Sequence, residues 1–290
     1  MTSGDSLDNP LVSIIVPTYQ SEAFIESCLR SIKEQDYSNI ELIVIDNFSK
    51  DKTFEISKRL SDLVFLKGPE RSEQRNYGVS KSSGQYVFII DSDMELTKGV
   101  VSACVKVITE QSRVRALIVP EESFGDNFWA KCKALEKSFY VGVDWMEGAR
   151  FFEKDLYVEM GGYHSELVGG EDYDLPQRIE AKYGKGVIAR ISKFIRHNEA
   201  SLDLIGSCRK KYYYSKRLDL YKANSEKNKE NFELQSSLVA RYRLYFSKPK
   251  ELFKNPFVGA GMLFMKTCEF GAGGLGYLSS KLTPNRFRLG

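Results

Sequence analysis

Cysteine is scarce in this sequence, and what there is does not pair. Five cysteines in 290 residues (Cys28, Cys104, Cys132, Cys208 and Cys268) are scattered, with no Cys-x-x-Cys among them. That spacing excludes a disulfide scaffold and a zinc ribbon, and it points to reduced, buried thiols in a cytosolic protein. Long apolar runs are also missing: none reaches the ~18 residues a membrane-spanning helix needs. The N-terminus lacks the charged-then-apolar pattern of a secretory signal. Charge of one sign is nearly absent in the net, +3 with a pI near 8.4, too mild to imply nucleic acid. Histidine occurs only twice, and there is no internal repeat.

What is present is a substantial core, with 42% hydrophobic residues, in a chain long enough for one large domain or one domain and an appendage. After a polar tail at 1–10, short apolar runs alternate with amphipathic stretches. Strands are expected at Leu11–Val16, stopped by Pro17, then at Glu41–Ile45, Leu63–Leu66, Tyr86–Ile90 and Ala116–Val119. Between them Ile25, Cys28, Leu29 and Ile32 recur at helical spacing, and further helices are expected at 53–60, 72–81 and around Val100–Ile108. Such β-α alternation argues an α/β fold with a mostly parallel sheet and helices on both faces. Later the pattern loosens: a helix at Phe128–Tyr140, strands at Ala149–Phe152 and Val187–Ile191, and a helix opening at Glu171-Asp172. From about residue 201 the sequence becomes basic, tyrosine-rich and helical, with a further helix at 232–246 and apolar, glycine-rich sequence over 256–282.

The stretch Tyr86–Ile90 ends on Asp91-Ser92-Asp93. A strand buried on both faces that delivers two carboxylates to its carboxyl end places them where parallel sheets bind ligands. Two hard oxygen donors suit Mg²⁺ or Mn²⁺ with substrate phosphates; a loop that caps the next helix reads equally well. Asp46 and Asn47 end a neighbouring strand and belong at the same edge, although both are also common turn formers. Arg71 and Arg75 can clamp phosphate oxygens, or lie on a solvated helix face. Glu171-Asp172 after Gly169-Gly170 fits a helix N-terminus, and an ionised carboxylate there also fits a general base for a hydroxyl. His197 is either structural or the imidazole that completes a metal site with Asp93.

Five motifs then occur in one order: Leu11–Gln20; Ile45-Asp46 with Ser49, Asp51 and Thr53; Gln74-Arg75-Asn76-Tyr77-Gly78; Gly84–Asp93; and Gly161-Gly162-Tyr163 leading to Gly170–Leu175. In that order the sequence resembles family 2 of the inverting nucleotide-sugar glycosyltransferases, which have the GT-A fold, over residues 11–200. The resemblance implies a nucleobase pocket lined by Pro17, Thr18 and Tyr19, with Asp46 and Asn47 facing base and ribose. It implies Arg75 and Arg71 on the nucleotide, Asp91 by the ribose and sugar with Ser92 beside it, Asp93 on Mn²⁺ or Mg²⁺, and Asp172 as base. The halves would be 11–120 for the nucleotide sugar and 121–200 for the acceptor. The family often has a second Asp where Asn47 stands and a Gly where Phe48 stands. An amide carbonyl still accepts from an imide N–H, which favours a UDP-sugar. The Gln-x-x-Arg-Trp signature of processive members is absent, and Gln177-Arg178-Ile179 does not replace it, so one sugar per encounter is expected.

The expected activity is therefore metal-dependent transfer of a sugar to a saccharide hydroxyl. A binding protein without transfer activity and an enzyme with a soluble or protein acceptor are the alternatives. In 201–290, Arg209, Lys210, Lys211, Lys216 and Arg217 surround Tyr212-Tyr213-Tyr214 with no acid. Tyrosines and cations together suit the headgroup region of a membrane, and Pro256–Met265 and Gly271–Leu278 are apolar segments too short to span. The resemblance tips the acceptor toward a polyprenyl-linked saccharide at the cytoplasmic membrane face. A helical appendage packed on the sheet, its cations in water, reads as well.

Overall fold

The computed structural model describes residues 9–167, 169–216 and 226–282. Residues 1–8 of the expected tail, Arg217, and the polar stretch before residue 226 lie outside them.

The first half follows the alternation in the sequence. Strand β1 (Val12–Thr18) is followed by helix α1 (Ile25–Lys33), β2 (Ile40–Asp46), α2 (Thr53–Leu60), β3 (Leu63–Leu66), α3 (Arg71–Lys81) and β4 (Tyr86–Ile89). Then come β5 (Met94–Leu96), α4 (Val100–Glu110), β6 (Ala116–Ile118), β7 (Glu121–Phe124), α5 (Phe128–Ser138), β8 (Ala149–Glu153), α6 (Lys154–Glu159), α7 (Glu171–Tyr183), β9 (Ile188–Arg190) and β10 (Ile195–Asn198). A seven-stranded sheet runs in the order β3-β2-β1-β4-β8-β6-β9. Only β8 is antiparallel to its neighbours.

Side chains alternate across this sheet, as a strand period of two requires. Ile14 and Val16 face one way and pack with Ile25, Leu29 and Ile32 of α1 and Val101 and Cys104 of α4. Ile15 faces the other way and packs with Val79 of α3, Leu156 of α6 and Leu175 and Ile179 of α7. Both faces are covered, which is why these strands read as continuous apolar runs.

Pro17 does not stop β1. The strand continues to Thr18 paired with β2, Pro17 opposite Ile45, whereas pairing with β4 ends at Ile15 opposite Ile89. Ile15 turns its carbonyl toward Ile90, and Thr18 turns its own toward Asn47. Pro17, in register with Ile15, therefore presents its missing N–H where β4 has already left. That divergence opens the crevice that holds the site.

Three short strands form a second sheet, β5-β10-β7. In it His197 lies opposite Met94 on one side and Ser123 on the other.

The C-terminal region is helical: α8 (Leu204–Ser215), α9 (Glu226–Ser236), α10 (Leu238–Phe246), α11 (Pro249–Leu252) and α12 (Pro256–Leu282). Two details differ from expectation. Helix 232–246 is two helices, because Ser237 accepts from the Ala240 N–H and begins a new one. The two apolar segments are one helix of 27 residues. Its glycines permit close crossing: a Cβ on Gly276 would stand 2.2 Å from the Tyr212 carbonyl oxygen of α8.

Lys133 and Glu136 of α5 meet Lys266 and Glu269 of α12 in a buried cluster (Lys133 Nζ to Glu136 2.8 Å and to Glu269 3.0 Å; Lys266 Nζ to Glu269 2.5 Å). Tyr140 donates to Glu136 and Arg241 donates to Tyr140 at 2.6 Å, so the charges are hydrogen-bonded as burial demands.

Candidate functional site

A cavity of about 640 Å³ opens at the carboxyl edge of the sheet. Its wall takes Pro17, Thr18 and Tyr19 from the end of β1, Asn47 from the end of β2, and Arg71 from the start of α3. Asp91, Ser92 and Asp93 follow β4, His197 comes from β10, and Glu171 opens α7. Gln74 holds the strand ends together: its Nε2 donates to the carbonyls of Thr18 (3.1 Å) and Ile45 (2.7 Å). Thr18 Oγ1 is buried in this wall with no hydrogen-bond partner among the described residues, a hydroxyl that a ligand would satisfy. Tyr19 presents a 58% exposed ring. Ser92 Oγ pairs with Ser21 Oγ at 2.9 Å. The Asn47 amide donates to the Pro69 carbonyl at 3.0 Å, which turns its own carbonyl into the group left for a ligand.

Two of the expected contacts fall elsewhere. Asp46 is fully buried and is not in the cavity wall; its carboxylate accepts from the Ser49 N–H (2.9 Å) and Oγ (2.5 Å) and shapes the turn after β2. Arg75 is also fully buried and absent from the wall. Its guanidinium is spent on carboxylates: Asp91 at 2.6 Å, Asp172 at 2.9 Å and Glu171 at 3.3 Å. Asn76, next in the motif, accepts from the Tyr163 N–H and donates to its carbonyl (3.0 and 2.7 Å). A Cβ on Gly162, at φ 66°, would strike the Asn76 Oδ1 at 2.4 Å, so the double glycine fits this approach.

From Asp172, which like Arg75 does not line the cavity, a run of alternating charges leads to Asp93 in its wall. Asp172 pairs with Arg75, Arg75 with Asp91, and Asp91 with Arg150 at 3.5 Å. Arg150 pairs with Glu121 at 2.6 Å, Glu121 with His197 Nδ1 at 3.5 Å, and His197 Nε2 with Asp93 at 3.3 Å. Burial opposes the ionisation of Asp91, yet Arg75 and Arg150 hold its carboxyl well below the usual range. Burial likewise opposes charge on Asp93, which the His197 contact outweighs, lowering it. His197 itself is raised to about 10, since Asp93 and Glu121 outweigh the burial that would lower it. Between these two carboxylates the protonated imidazole is favoured, and a metal ion taking Nε2 would displace that proton.

Among the described residues no cluster of three or more His, Cys, Asp or Glu is arranged to hold a metal ion. Two donors do fit one. Asp93 Oδ2 and His197 Nε2, 3.3 Å apart, are close to the about 3 Å edge of an octahedron with 2.1 Å bonds. Glu121 stands 3.5 Å from the other ring nitrogen, which makes no hydrogen bond among the described residues; a small approach would give the carboxylate support that metal-bound imidazoles use. A sugar diphosphate would have to supply further oxygens.

The basic, tyrosine-rich stretch is divided between roles. Lys210, Tyr213 and Tyr214 of α8 complete the cavity wall. The Tyr214 ring lies 5.7 Å from the Arg71 guanidinium and 5.9 Å from Lys210 Nζ, and its hydroxyl accepts from Arg71 at 3.3 Å. Lys216 covers the Tyr212 ring at 4.7 Å. Those expected membrane contacts Lys210 and Lys216 therefore have partners within the fold. Sequence reasoning also passed over Glu121 and Arg150. Nothing local marks Glu121 beyond Pro120 before it, and Arg150 lies inside a run read only as strand.

Residues 13–160 match Glycosyl transferase family 2. Over 182 residues the chain is 31% identical to the GalNAc(5)-diNAcBac-PP-undecaprenol beta-1,3-glucosyltransferase of Campylobacter jejuni, covering 56% of this chain and 57% of that protein. It spans less than two thirds of the curated relatives it matches first, 38%, 15% and 57% of their lengths. Among solved structures, the mannosyltransferase PcManGT of Pyrobaculum calidifontis, in complex with GDP-Man and Mn²⁺, is similar at TM-score 0.58 and 17% identity, over 94% of this chain and 88% of that one. TarS 1-349 of S. aureus, in complex with UDP-GlcNAc, is similar at TM-score 0.53 and 17% identity, over 96% of this chain and 93% of that one. At such identities the likeness is one of fold.

Proposed function

The chain belongs to glycosyl transferase family 2, a glycosyltransferase of GT-A fold, and on that footing we propose an inverting, metal-dependent transfer of one sugar from a nucleoside diphosphate. The acceptor in this reading is a hydroxyl of a polyprenyl-linked saccharide, as the name of the Campylobacter jejuni relative suggests by similarity. The observation that carries the reading is the juxtaposition, at one sheet edge, of a nucleotide-sized cavity, the Asp93–His197 pair, and the charge run that ends on Asp172.

Pro17, Thr18 and Tyr19 form the base pocket, with Tyr19 as stacking ring. The Asn47 carbonyl accepts from the imide N–H of uracil, which favours a UDP-sugar. Asp91 and Ser92 lie by the ribose and sugar. Arg71 and Lys210 face the diphosphate, and Arg75 acts through Asp91 and Asp172 instead of touching the nucleotide. Asp93 and His197 would hold Mn²⁺ or Mg²⁺, and such an ion would offset the charge that builds on the leaving diphosphate. The acceptor oxygen attacks the anomeric carbon as the bond to the diphosphate oxygen breaks, and the diphosphate departs with that electron pair. Asp172, its side chain 32% exposed and one oxygen fixed by Arg75, takes the hydroxyl proton. One displacement inverts the centre and needs no enzyme nucleophile. Residues 11–200 form the catalytic domain, and α8 closes its cavity from 201–290.

The test is a panel of nucleotide sugars with Mn²⁺, read as thermal stabilisation and as donor hydrolysis. A UDP-sugar is expected to stabilise and to be turned over; stabilisation without turnover would mark a binding protein, and neither would sink the reading. Asp172→Asn should keep donor binding while transfer falls by ~10²-fold or more. Unchanged transfer would reduce Asp172 to a partner of Arg75.

A further inference from the structure

Helix α12 is inside out. Between Pro256 and Ser280 its only charged residues are Lys266 and Glu269, and both are buried, 4% and 2% exposed, in the ion cluster with α5. Its outer face is apolar: Phe257 is 82% exposed, Phe264 57%, Leu275 64%, Leu278 58% and Leu282 83%. At 100° per residue these five fall on one stripe, opposite the buried Met262, Met265 and Glu269. The stripe runs the length of the helix, about 40 Å for 27 residues. No helix among the described residues is long and apolar enough to cross a membrane. A soluble surface does not ordinarily expose so continuous an apolar line.

The ends of the stripe carry its charge. At one end Arg243, Lys248, Lys250 and Lys254 are exposed, with Glu251 the one acid between them, and Phe246 and Phe253 stand among them with ring centroids 6.3 Å apart. At the other end Lys281 is exposed beside Leu282. An apolar face flanked by cations and exposed phenylalanines complements an anionic lipid surface.

We propose that the outer face of α12, with the α10–α11 corner, lies flat in the interface of an anionic bilayer, the rings of Phe253 and Phe257 inserted and Lys248, Lys250 and Lys254 on lipid phosphates. This differs from docking through residues 209–217, part of which closes the donor cavity. It adds a place of work to the transfer reaction proposed above and does not depend on that reaction.

The experiment is co-sedimentation of the whole protein with phosphatidylcholine vesicles, with and without phosphatidylglycerol, at low and high salt. Wild type should bind the anionic vesicles and lose affinity as salt rises. Phe257→Asp, Leu275→Asp and Leu278→Asp together should abolish binding at both salts. Lys248→Glu, Lys250→Glu and Lys254→Glu together should weaken it by roughly tenfold or more. Neither set lines the donor cavity, so UDP-sugar stabilisation should persist, and this reports the fold and the proposed reaction separately. Should the triple apolar variant fail to fold, Phe257→Asp alone, at the most exposed of the three side chains, should still weaken binding. Absence of binding to anionic vesicles, or binding indifferent to both sets, overturns the proposal. So does a two-chain species in sedimentation that Phe257→Asp returns to one chain, which would make a second copy the occupant.

Discussion

Lys210 shows what a single side chain can mean before and after its neighbours are known. In the sequence it is one cation in a row of five with three tyrosines. In the fold its ammonium shares the Tyr214 ring with Arg71 and faces the cavity that contains Asp93. Lys210→Ala is expected to weaken UDP binding by roughly tenfold, the scale of one hydrogen bond to a charged group. Uridine without phosphates should bind as before. Calorimetric titration with both ligands checks this, and an equal loss for both would place Lys210 at the base instead of the diphosphate. The placement of other residues was legible for a plain reason: Asn47, Asp91 and Asp93 follow strands and line the cavity, and Asp172 stands at a helix start, positions that chain order alone assigns. That of Arg75 was not, because whether a guanidinium meets a phosphate or a neighbouring carboxylate depends on side chains nearly a hundred residues away, Glu171 and Asp172.

Elements long enough to hold a period were readable. The helices α1 to α4 and the strands β1 to β4 carry it, and the end of β1, the start of α3 and the loops after β1, β2, β3 and β4 supply most of the cavity wall. The second sheet was not readable, since Met94–Leu96 and Ile195–Asn198 have three and four residues and owe their state to one another, not to propensity. Helix α5 was readable, but its pairing with α12 was not, because their buried Lys and Glu look like solvated charges until they are seen to pair. The cluster they form should govern acid stability. Burial opposes charge on Glu269, but Lys266 and Lys133 outweigh it and hold the carboxyl down to about 2, against about 4.3 in an unfolded chain. A depressed carboxyl stabilises the fold above the unfolded value and loses that contribution as pH falls through the folded one. The loss should run from about pH 4.5 toward 2 and amount to something on the order of 3 kcal/mol. Lys266→Met leaves Glu136 and Glu269 with Lys133 alone. It should cost about 3–5 kcal/mol at neutral pH and flatten that acid limb, as urea unfolding at several pH values would show. A Lys266→Met protein as stable as wild type would mean that the cluster is solvated in solution.

For the whole molecule, the division at residue 200 separates the first two hundred residues from part of their own site. Cutting the chain there removes Lys210, Tyr213 and Tyr214 from the cavity and uncovers the apolar face of α5 that Met262 and Met265 pack against. The shortened protein is expected to bind a UDP-sugar at least tenfold more weakly and to self-associate through the bared surface, seen by calorimetry and light scattering. Full donor affinity in a monomeric product would restore the view of 201–290 as a mere appendage.

The chain's two tryptophans both lie where the C-terminal helices meet the rest. The Trp129 indole stacks on Phe264 of α12 with centroids 6.5 Å apart. Trp145 lies 5.4 Å from the Arg241 guanidinium of α10, and its carbonyl accepts from Gln235 of α9. The large sheet has no indole of its own. Intrinsic fluorescence excited at the indole band is therefore a report on helix docking alone, while ellipticity reports on the whole backbone. As acid protonates Glu269, emission should shift to the red before ellipticity falls, and the interval between the two curves measures how far the junction can open while the nucleotide half stays folded. Superimposed curves would mean that the molecule opens as one unit.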